Sequence, residues 1–221
     1  MQLSKDTLAI MKSFSNINTN LQILPGNILS TMSPERNIIA KAFIQESFPC
    51  TFGIYDLPEF LAVMSMFDKP ELQFDSSEKF MVIEEGANSV QYFSAAPGII
   101  HKVMTIKDIE ESDPIQFKLS NALLTHMKKS SAILKVEDLF IEGDKKELKL
   151  VMKDKSNPTG NSFMSILGST NKTFSACMQT NNLKLMNADY DVTLSPRGLA
   201  RFNSADDKLE YYIALENNSK F

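Results

Sequence analysis

The chain has 221 residues, of which 43% are hydrophobic and 23% charged, a composition typical of globular proteins with a packed core. No run reaches the roughly 18 apolar residues of a membrane span, and the start, MQLSKDTLAIMKSF, lacks the apolar region and cleavage site of a signal peptide. The net charge of −4 and the pI near 5.3 argue against a nucleic-acid-binding protein, unless its positive charge is concentrated on one surface.

The first half of the chain predicts two helices among short strands. The first helix spans 4–17. The second spans 57–67, where Asp56 and Glu59 form a capping box and Pro58 lies in the first turn. Predicted strands lie at 21–24, 28–32, 37–44, 49–55, 72–74, 80–84 and 89–93. Most alternate apolar and polar residues, which predicts antiparallel sheets with one face on a core.

Residues 94–113 show no clear period and are predicted to connect two domains. The same order of elements then returns, with a strand at 115–119, a helix at 120–131 and a short helical turn at 182–186. Further strands are predicted at 133–141, 147–153, 162–167, 173–179, 189–194, 198–202 and 209–215. The repeated pattern predicts two similar domains, 1–110 with the connector and 111–221.

The first helix is amphipathic, and its polar face is basic. Ile10, Phe14 and Ile17 share the predicted core face. The opposite face holds Lys5, Ala9, Lys12 and Asn16.

The helix at 120–131 repeats this arrangement. Leu123, Leu124 and Met127 form its predicted core face. Its other face holds Asn121, Thr125, Lys128 and Lys129, and the turn at 182–186 adds Lys184. Two interpretations stay open, an ordinary solvated surface and a surface that contacts phosphates without reading sequence.

Motifs for most enzyme classes are missing. The chain contains no P-loop, G-x-S-x-G, H-E-x-x-H or G-x-G-x-x-G motif, and only two histidines, His101 and His126. Cys50 and Cys177 are far apart and are interpreted as buried strand thiols. No cofactor or metal is therefore predicted.

One acidic run leaves a nuclease as an alternative. The run consists of Asp108, Glu110, Glu111 and Asp113, which could bind a divalent metal for phosphoryl chemistry. Because nothing spaces these carboxylates on a rigid element, a solvated loop is the preferred interpretation. A β-rich scaffold protein that never touches DNA is a further alternative.

Three segments resemble the sliding clamps of T-even-type bacteriophages: LSKDTLAIMKSFSNIN, FGIYDLPEFLAVMSMF and EYYIALE. The order of elements between them is also similar, and YYIA resembles the end of the proliferating cell nuclear antigen. The resemblance implies an α+β DNA clamp fold, with two similar domains of antiparallel sheets and inner helices. It also implies that three subunits join head to tail into a ring.

The resemblance further implies a non-enzymatic processivity factor that encircles double-stranded DNA in the cytoplasm of a host bacterium. Its implied partners are the C-terminal tail of the replicative DNA polymerase, an ATP-dependent clamp loader, and late-transcription factors with RNA polymerase. No membrane is involved.

The resemblance assigns three sets of residues. The DNA-facing residues are Lys5, Lys12, Asn16, Asn121, Thr125, Lys128, Lys129 and Lys184. The pocket for the partner peptide is expected at Val103, Met104, Ile106, Ala214 and Leu215. The subunit contact is expected between Tyr92 and Phe93 of one subunit and Phe163, Ser165 and Leu167 of the next.

Overall fold

The computed structural model describes residues 1–96, 98–100, 102–104, 114–157 and 159–221. It divides into two compact units, Met1–Thr105 and Ile106–Phe221. Both units combine helices with antiparallel strands, as an α+β chain requires.

The first unit contains two helices and seven strands within its described residues. The helices are α1 (Lys5–Ser15) and α2 (Leu57–Met64). The strands are β1 (Leu21–Ile23), β2 (Gly26–Met32), β3 (Ile38–Phe48), β4 (Phe52–Ile54), β5 (Glu71–Phe74), β6 (Phe80–Glu85) and β7 (Asn88–Phe93). β1 pairs with β4, β2 pairs with β3, and β5, β6 and β7 form a three-stranded sheet.

Side-chain caps start both helices of this unit. The Ser4 hydroxyl accepts a hydrogen bond from the Thr7 amide at 3.2 Å, and the Asp56 carboxylate accepts one from the Glu59 amide at 2.9 Å. The predicted position of Asp56 at the start of α2 is thus confirmed. α2 ends at Met64, three residues before the predicted end, where the Ser65 hydroxyl donates to the Ala62 carbonyl at 2.7 Å.

The second unit contains one α-helix, α3 (Asn121–Leu134), among the described residues. Its strands are β8 (Ile115–Leu119), β9 (Asp138–Asp144), β10 (Glu147–Lys153), β11 (Phe163–Ser169), β12 (Thr173–Gln179), β13 (Tyr190–Ser195), β14 (Leu199–Ser204) and β15 (Leu209–Ala214). One sheet has the order β11-β10-β9-β12, and β8, β13, β14 and β15 are also neighbours in that order.

Two predicted boundaries in this unit are wrong. Ile133 and Leu134 belong to α3 and not to a strand, because the helix continues until Lys135 takes a left-handed conformation, with φ 53°. The turn predicted at 182–186 is instead a 3₁₀ turn at Thr180–Asn182. The connection between α3 and β9 holds the 3₁₀ turn at this position, because the Thr180 hydroxyl donates a hydrogen bond to the Val136 carbonyl at 3.1 Å.

The cores of the two units contain the predicted apolar faces. Ile10, Phe14 and Ile17 are buried, as are Leu124 and Met127, while Leu123 is half-buried. Both cysteines are buried free thiols, and burial raises the pKa of each. Cys177 lies in β12 as predicted, whereas Cys50 lies in the connection between β3 and β4.

Candidate nucleic-acid interface

The polar face of α1 carries the clearest concentration of unpaired positive charge in the first unit. Lys5, Ala9, Lys12 and Asn16 are all exposed, directly opposite the buried stripe. Within the described ranges, neither lysine forms an ion pair with a carboxylate. Asp6 lies in the first turn of α1, where a carboxylate complements the positive end of the helix dipole.

An open groove of about 820 Å³ runs between α1 and α2, and the two lysines of α1 lie on its wall. Leu8 of α1 and Leu61 of α2 contribute apolar surface to it. Lys69 also lines the groove, although it follows α2 and sequence reasoning did not select it. α2 itself has no basic residue, so α1 and Lys69 supply the positive charge of this surface.

The polar face of α3 is less uniform than predicted. Asn121 and Lys129 are exposed, whereas Thr125, Lys128 and Lys184 are half-buried. The backbone amide of Asn121 donates a hydrogen bond to the Asp189 carboxylate at 2.7 Å, which fixes the position of the start of α3.

Lys128 has internal partners that the helical pattern did not reveal. Its ammonium group donates to the Leu185 carbonyl at 2.6 Å and to the Asn187 side-chain oxygen at 3.2 Å. Desolvation by burial lowers the pKa of Lys128. The interpretation of this lysine as simply solvent-facing is therefore corrected, because the segment after the 3₁₀ turn folds against α3.

The predicted subunit-contact residues of β7 point in opposite directions. The Tyr92 ring packs edge-on against Phe60 of α2, with centroids 5.3 Å apart, and its hydroxyl donates to the Asp56 carbonyl at 3.3 Å. Burial raises the pKa of Tyr92 to about 12. Phe93 is 65% exposed, and its ring lies 5.9 Å from that of Phe80. Only Phe93 therefore presents its ring at the outer surface of this edge strand.

On β11 the predicted residues face partly inward. Phe163 lies opposite Met152 and Ser165 lies opposite Leu150, and the side chains of Met152 and Leu150 are buried. Phe163, Ser165 and Leu167 are themselves half-buried. The alternate positions, Met164 and Ile166, are each 59% exposed. Sequence reasoning missed these two, although exposed apolar residues on an end strand are a usable signal of pairing with another chain.

The predicted peptide-pocket residues divide between the two units. In the first unit, Val103 lines a small cavity of about 90 Å³ and Met104 is exposed. In the second unit, Ala214 is half-buried at the end of β15, and Leu215 is nearly buried, with its amide donating to the Gly198 carbonyl at 2.8 Å. Ile106 lies outside the described residues.

The acidic residues of the nuclease alternative, Asp108, Glu110, Glu111 and Asp113, also lie outside the described residues, as does His101. Among the residues that the structure describes, no cluster of histidine, cysteine and carboxylate side chains is arranged to hold a metal ion. None of the described helices has the length and apolar character to cross a bilayer.

Comparison with known proteins identifies the family. The model of the DNA polymerase processivity factor family matches residues 4–101. The chain is 30% identical over 223 residues to the sliding clamp of Vibrio phage KVP40, covering 98% of this chain and 99% of that protein. The chain belongs to the sliding clamp family.

Two further phage clamps support the assignment over nearly the full length. The sliding clamp of Enterobacteria phage T4 is 24% identical, covering 99% of this chain and 98% of that protein. The sliding clamp of Escherichia phage RB69 is 26% identical with the same coverage. Members of this family are non-catalytic processivity factors of phage DNA replication, so the prediction of a non-enzyme is confirmed.

Solved structures confirm the DNA clamp fold. The Archaeoglobus fulgidus PCNA bound to the C-terminal region of FEN-1 matches with a TM-score of 0.71 at 12% identity, covering 98% of both chains. The DNA polymerase III β chain of Streptococcus pneumoniae matches with a TM-score of 0.71 at 13% identity, covering 98% of this clamp and 64% of that chain. The predicted fold class is therefore correct.

Proposed function

We propose that three copies of this clamp join head to tail into a ring around double-stranded DNA and tether the replicative DNA polymerase. Each unit would be one clamp domain, with boundaries at 1–110 and 111–221 and a connector at 94–113. The observation that carries the proposal is the exposed basic face of α1, with Lys5 and Lys12 free of carboxylate partners within the described ranges.

Charge distribution explains how an acidic protein can surround DNA. The net charge of −4 opposes adhesion of the whole surface to phosphates. A few exposed lysines supply local attraction without sequence specificity, because each is a point charge on a flexible stem. The remaining proposed contacts are Asn16, Asn121, Thr125, Lys129 and Lys184, whereas the ammonium group of Lys128 already bonds to Leu185 and Asn187. Weak contacts suit a clamp that must slide, since enclosure and not affinity keeps it on DNA.

We propose that the ring closes by pairing β7 of one subunit with β11 of the next. Each is an end strand of its sheet, so its outer backbone groups are available for strand addition. The proposed contact includes Tyr92, Phe93, Phe163, Ser165 and Leu167, and exposed Met164 and Ile166 add apolar area to it. Two different surfaces that meet head to tail close into a ring when the rotation between subunits permits.

We infer the partners from membership of the clamp family. The C-terminal tail of the polymerase would bind apolar side chains among Val103, Met104, Ile106, Ala214 and Leu215. An ATP-dependent loader would open the ring, and late-transcription factors with RNA polymerase would use the same clamp. These partners place the protein in the cytoplasm of the host bacterium.

A charge reversal on α1 tests the DNA-facing surface. Lys5→Glu with Lys12→Glu is expected to leave the trimer intact and to weaken binding of the clamp to a short linear duplex at low salt by roughly tenfold, because two attractive groups become repulsive. Binding is measured by fluorescence anisotropy of the labelled duplex, whose free ends prevent retention by enclosure.

A matched control carries the same change of charge elsewhere. Lys118→Glu with Lys208→Glu alters exposed lysines of β8 and of the turn before β15. This variant should bind the duplex like the unmodified clamp. Equal affinity of both double variants for the duplex would show that α1 does not face DNA.

A further inference from the structure

The last residues of the chain lie along the outer edge of β12. On its other side β12 pairs with β9. Ser175 and Lys220 exchange both backbone hydrogen bonds, each 2.8 Å long, and the Ser219 hydroxyl accepts one from the Cys177 amide at 3.0 Å. Residues 219–221, here termed the tail segment, therefore form a one-residue extension of this sheet.

An aromatic contact completes the attachment of the tail segment. The ring of Phe221 stacks on that of Phe174, with centroids 6.2 Å apart and planes 3° from parallel. Phe174 is nearly buried, whereas Phe221 stays 44% exposed. A cavity of about 310 Å³ adjoins the stacked rings. Its lining consists of Ile115, Lys172, Thr173, Phe174, Pro196 and Phe221.

The strand register shows that the tail segment covers only part of the outer edge of β12. In an antiparallel pair, alternate residues direct their backbone groups to the same edge. Ser175 and Cys177 already bond at the outer edge, so Thr173 is the next residue of β12 to face it. Thr173 also lines the cavity. A peptide that continued past the position of Phe221 would therefore pair with Thr173 and place a side chain in the cavity.

We propose that the outer edge of β12 is a docking site for an extended peptide of a partner protein, which binds by displacing the tail segment. The tail segment shows the chemistry that the site accepts, an extended backbone with an aromatic side chain over Phe174. The partner peptide adds an apolar residue one or two positions further along, which enters the cavity between Ile115 and Pro196. This site lies within the second unit and depends neither on DNA nor on ring formation.

Displacement is feasible because few contacts hold the tail segment. Two backbone hydrogen bonds, the bond from the Cys177 amide to the Ser219 hydroxyl and one exposed ring stack give only a small net stabilisation, since water replaces those bonds when the segment leaves. An incoming strand restores the same bonds and adds those at Thr173. Strand addition of this kind combines affinity from the main chain with selectivity from side-chain pockets.

The test uses the full chain and a fluorescent peptide, Asn-Asn-Ser-Lys-Phe-Leu-Ile, which repeats residues 217–221, including the tail segment, and adds two apolar residues. Lys220→Pro releases the tail segment, because proline lacks the amide that donates to the Ser175 carbonyl. The peptide should bind this variant about tenfold more tightly than the unmodified chain, as expected when one competing pair of hydrogen bonds is removed.

Lys220→Ala is the matched control, because it removes the same side chain and keeps the amide. Its affinity for the peptide should equal that of the unmodified chain. A second peptide with alanine in place of phenylalanine should lose most of the affinity, and hydrogen exchange should show the Thr173 amide protected by the first peptide only.

Three results would overturn the proposal. One is equal binding of the peptide to all three proteins, and another is no binding to Lys220→Pro. The third is binding that survives loss of the aromatic residue or leaves the Thr173 amide unprotected. Each can occur in a clamp that still trimerises on DNA, so failure here is distinct from failure of the proposed function.

Discussion

Neighbouring lysines on α3 have different surroundings. Lys129 is exposed, whereas the ammonium of Lys128 bonds to the Leu185 carbonyl at 2.6 Å and to Asn187. A charged donor that satisfies a backbone carbonyl stabilises the fold, and its removal leaves that acceptor without its partner. Lys128 therefore attaches the segment after the 3₁₀ turn to the helix.

This difference gives a paired prediction. Lys128→Met should lower the free energy of unfolding by about 1–2 kcal/mol, because the hydrogen bonds to Leu185 and Asn187 are lost. Lys129→Met should change it by less than about 0.5 kcal/mol, since an exposed side chain is removed. Urea unfolding of both variants measures the difference, and equal losses would contradict the structural role of Lys128.

Tyr92 gives a prediction about alkaline pH. Burial raises its pKa to about 12, so its neutral form is favoured in the folded state. The resulting stabilisation is fully present below the unfolded pKa near 10 and is lost as pH rises through 12. Tyr92→Phe should flatten the fall in stability across this window, as measured by urea unfolding at several pH values. An unchanged slope would mean that Tyr92 is solvated.

At the scale of elements, the side chains on the two faces of an end strand differ in burial. On β11, Phe163 and Ser165 lie opposite buried residues of β10, whereas Met164 and Ile166 are exposed. Residues of the first kind lie on the face of the sheet that packs on the unit and are half-buried. Residues of the second kind are available to a neighbouring chain.

The exposed side of β11 is therefore the sharper test of ring closure. Met164→Lys with Ile166→Lys should convert the trimer to monomers without lowering the stability of the unit, because both residues are exposed in the isolated chain. Light scattering measures the mass. The control, Met66→Lys with Ile133→Lys, changes two apolar residues that are even more exposed and that do not belong to β11, and it should remain trimeric. A monomeric unmodified chain at micromolar concentration would favour the scaffold alternative instead.

At the scale of the whole molecule, enclosure and affinity make different predictions. An acidic chain with a few lysines toward DNA binds phosphates weakly, so retention should depend on whether the DNA has ends. Clamp loaded onto nicked circular DNA should be released when a restriction enzyme linearises the circle. Gel filtration before and after cleavage measures this release, and equal retention on linear DNA would indicate ordinary binding.

The sequence alone determined the elements whose patterns are local. The stripe of Ile10 and Phe14, the cap at Asp56 and the alternating strands depend on neighbours along the chain, and they were predicted correctly. The clamp fold was predicted from three segments that resemble phage sliding clamps and from the similar order of elements between them. Both features can be read from the sequence.

Only the tertiary structure decided which exposed positions have partners. Lys128 and Lys129 both lie on the polar side of α3, but a segment nearly 60 residues later hydrogen-bonds to Lys128. In the same way, Tyr92 turns inward to α2, and the tail segment pairs with β12 across more than 40 residues. Such contacts depend on how distant segments pack together, and helical or strand periodicity carries no information about that.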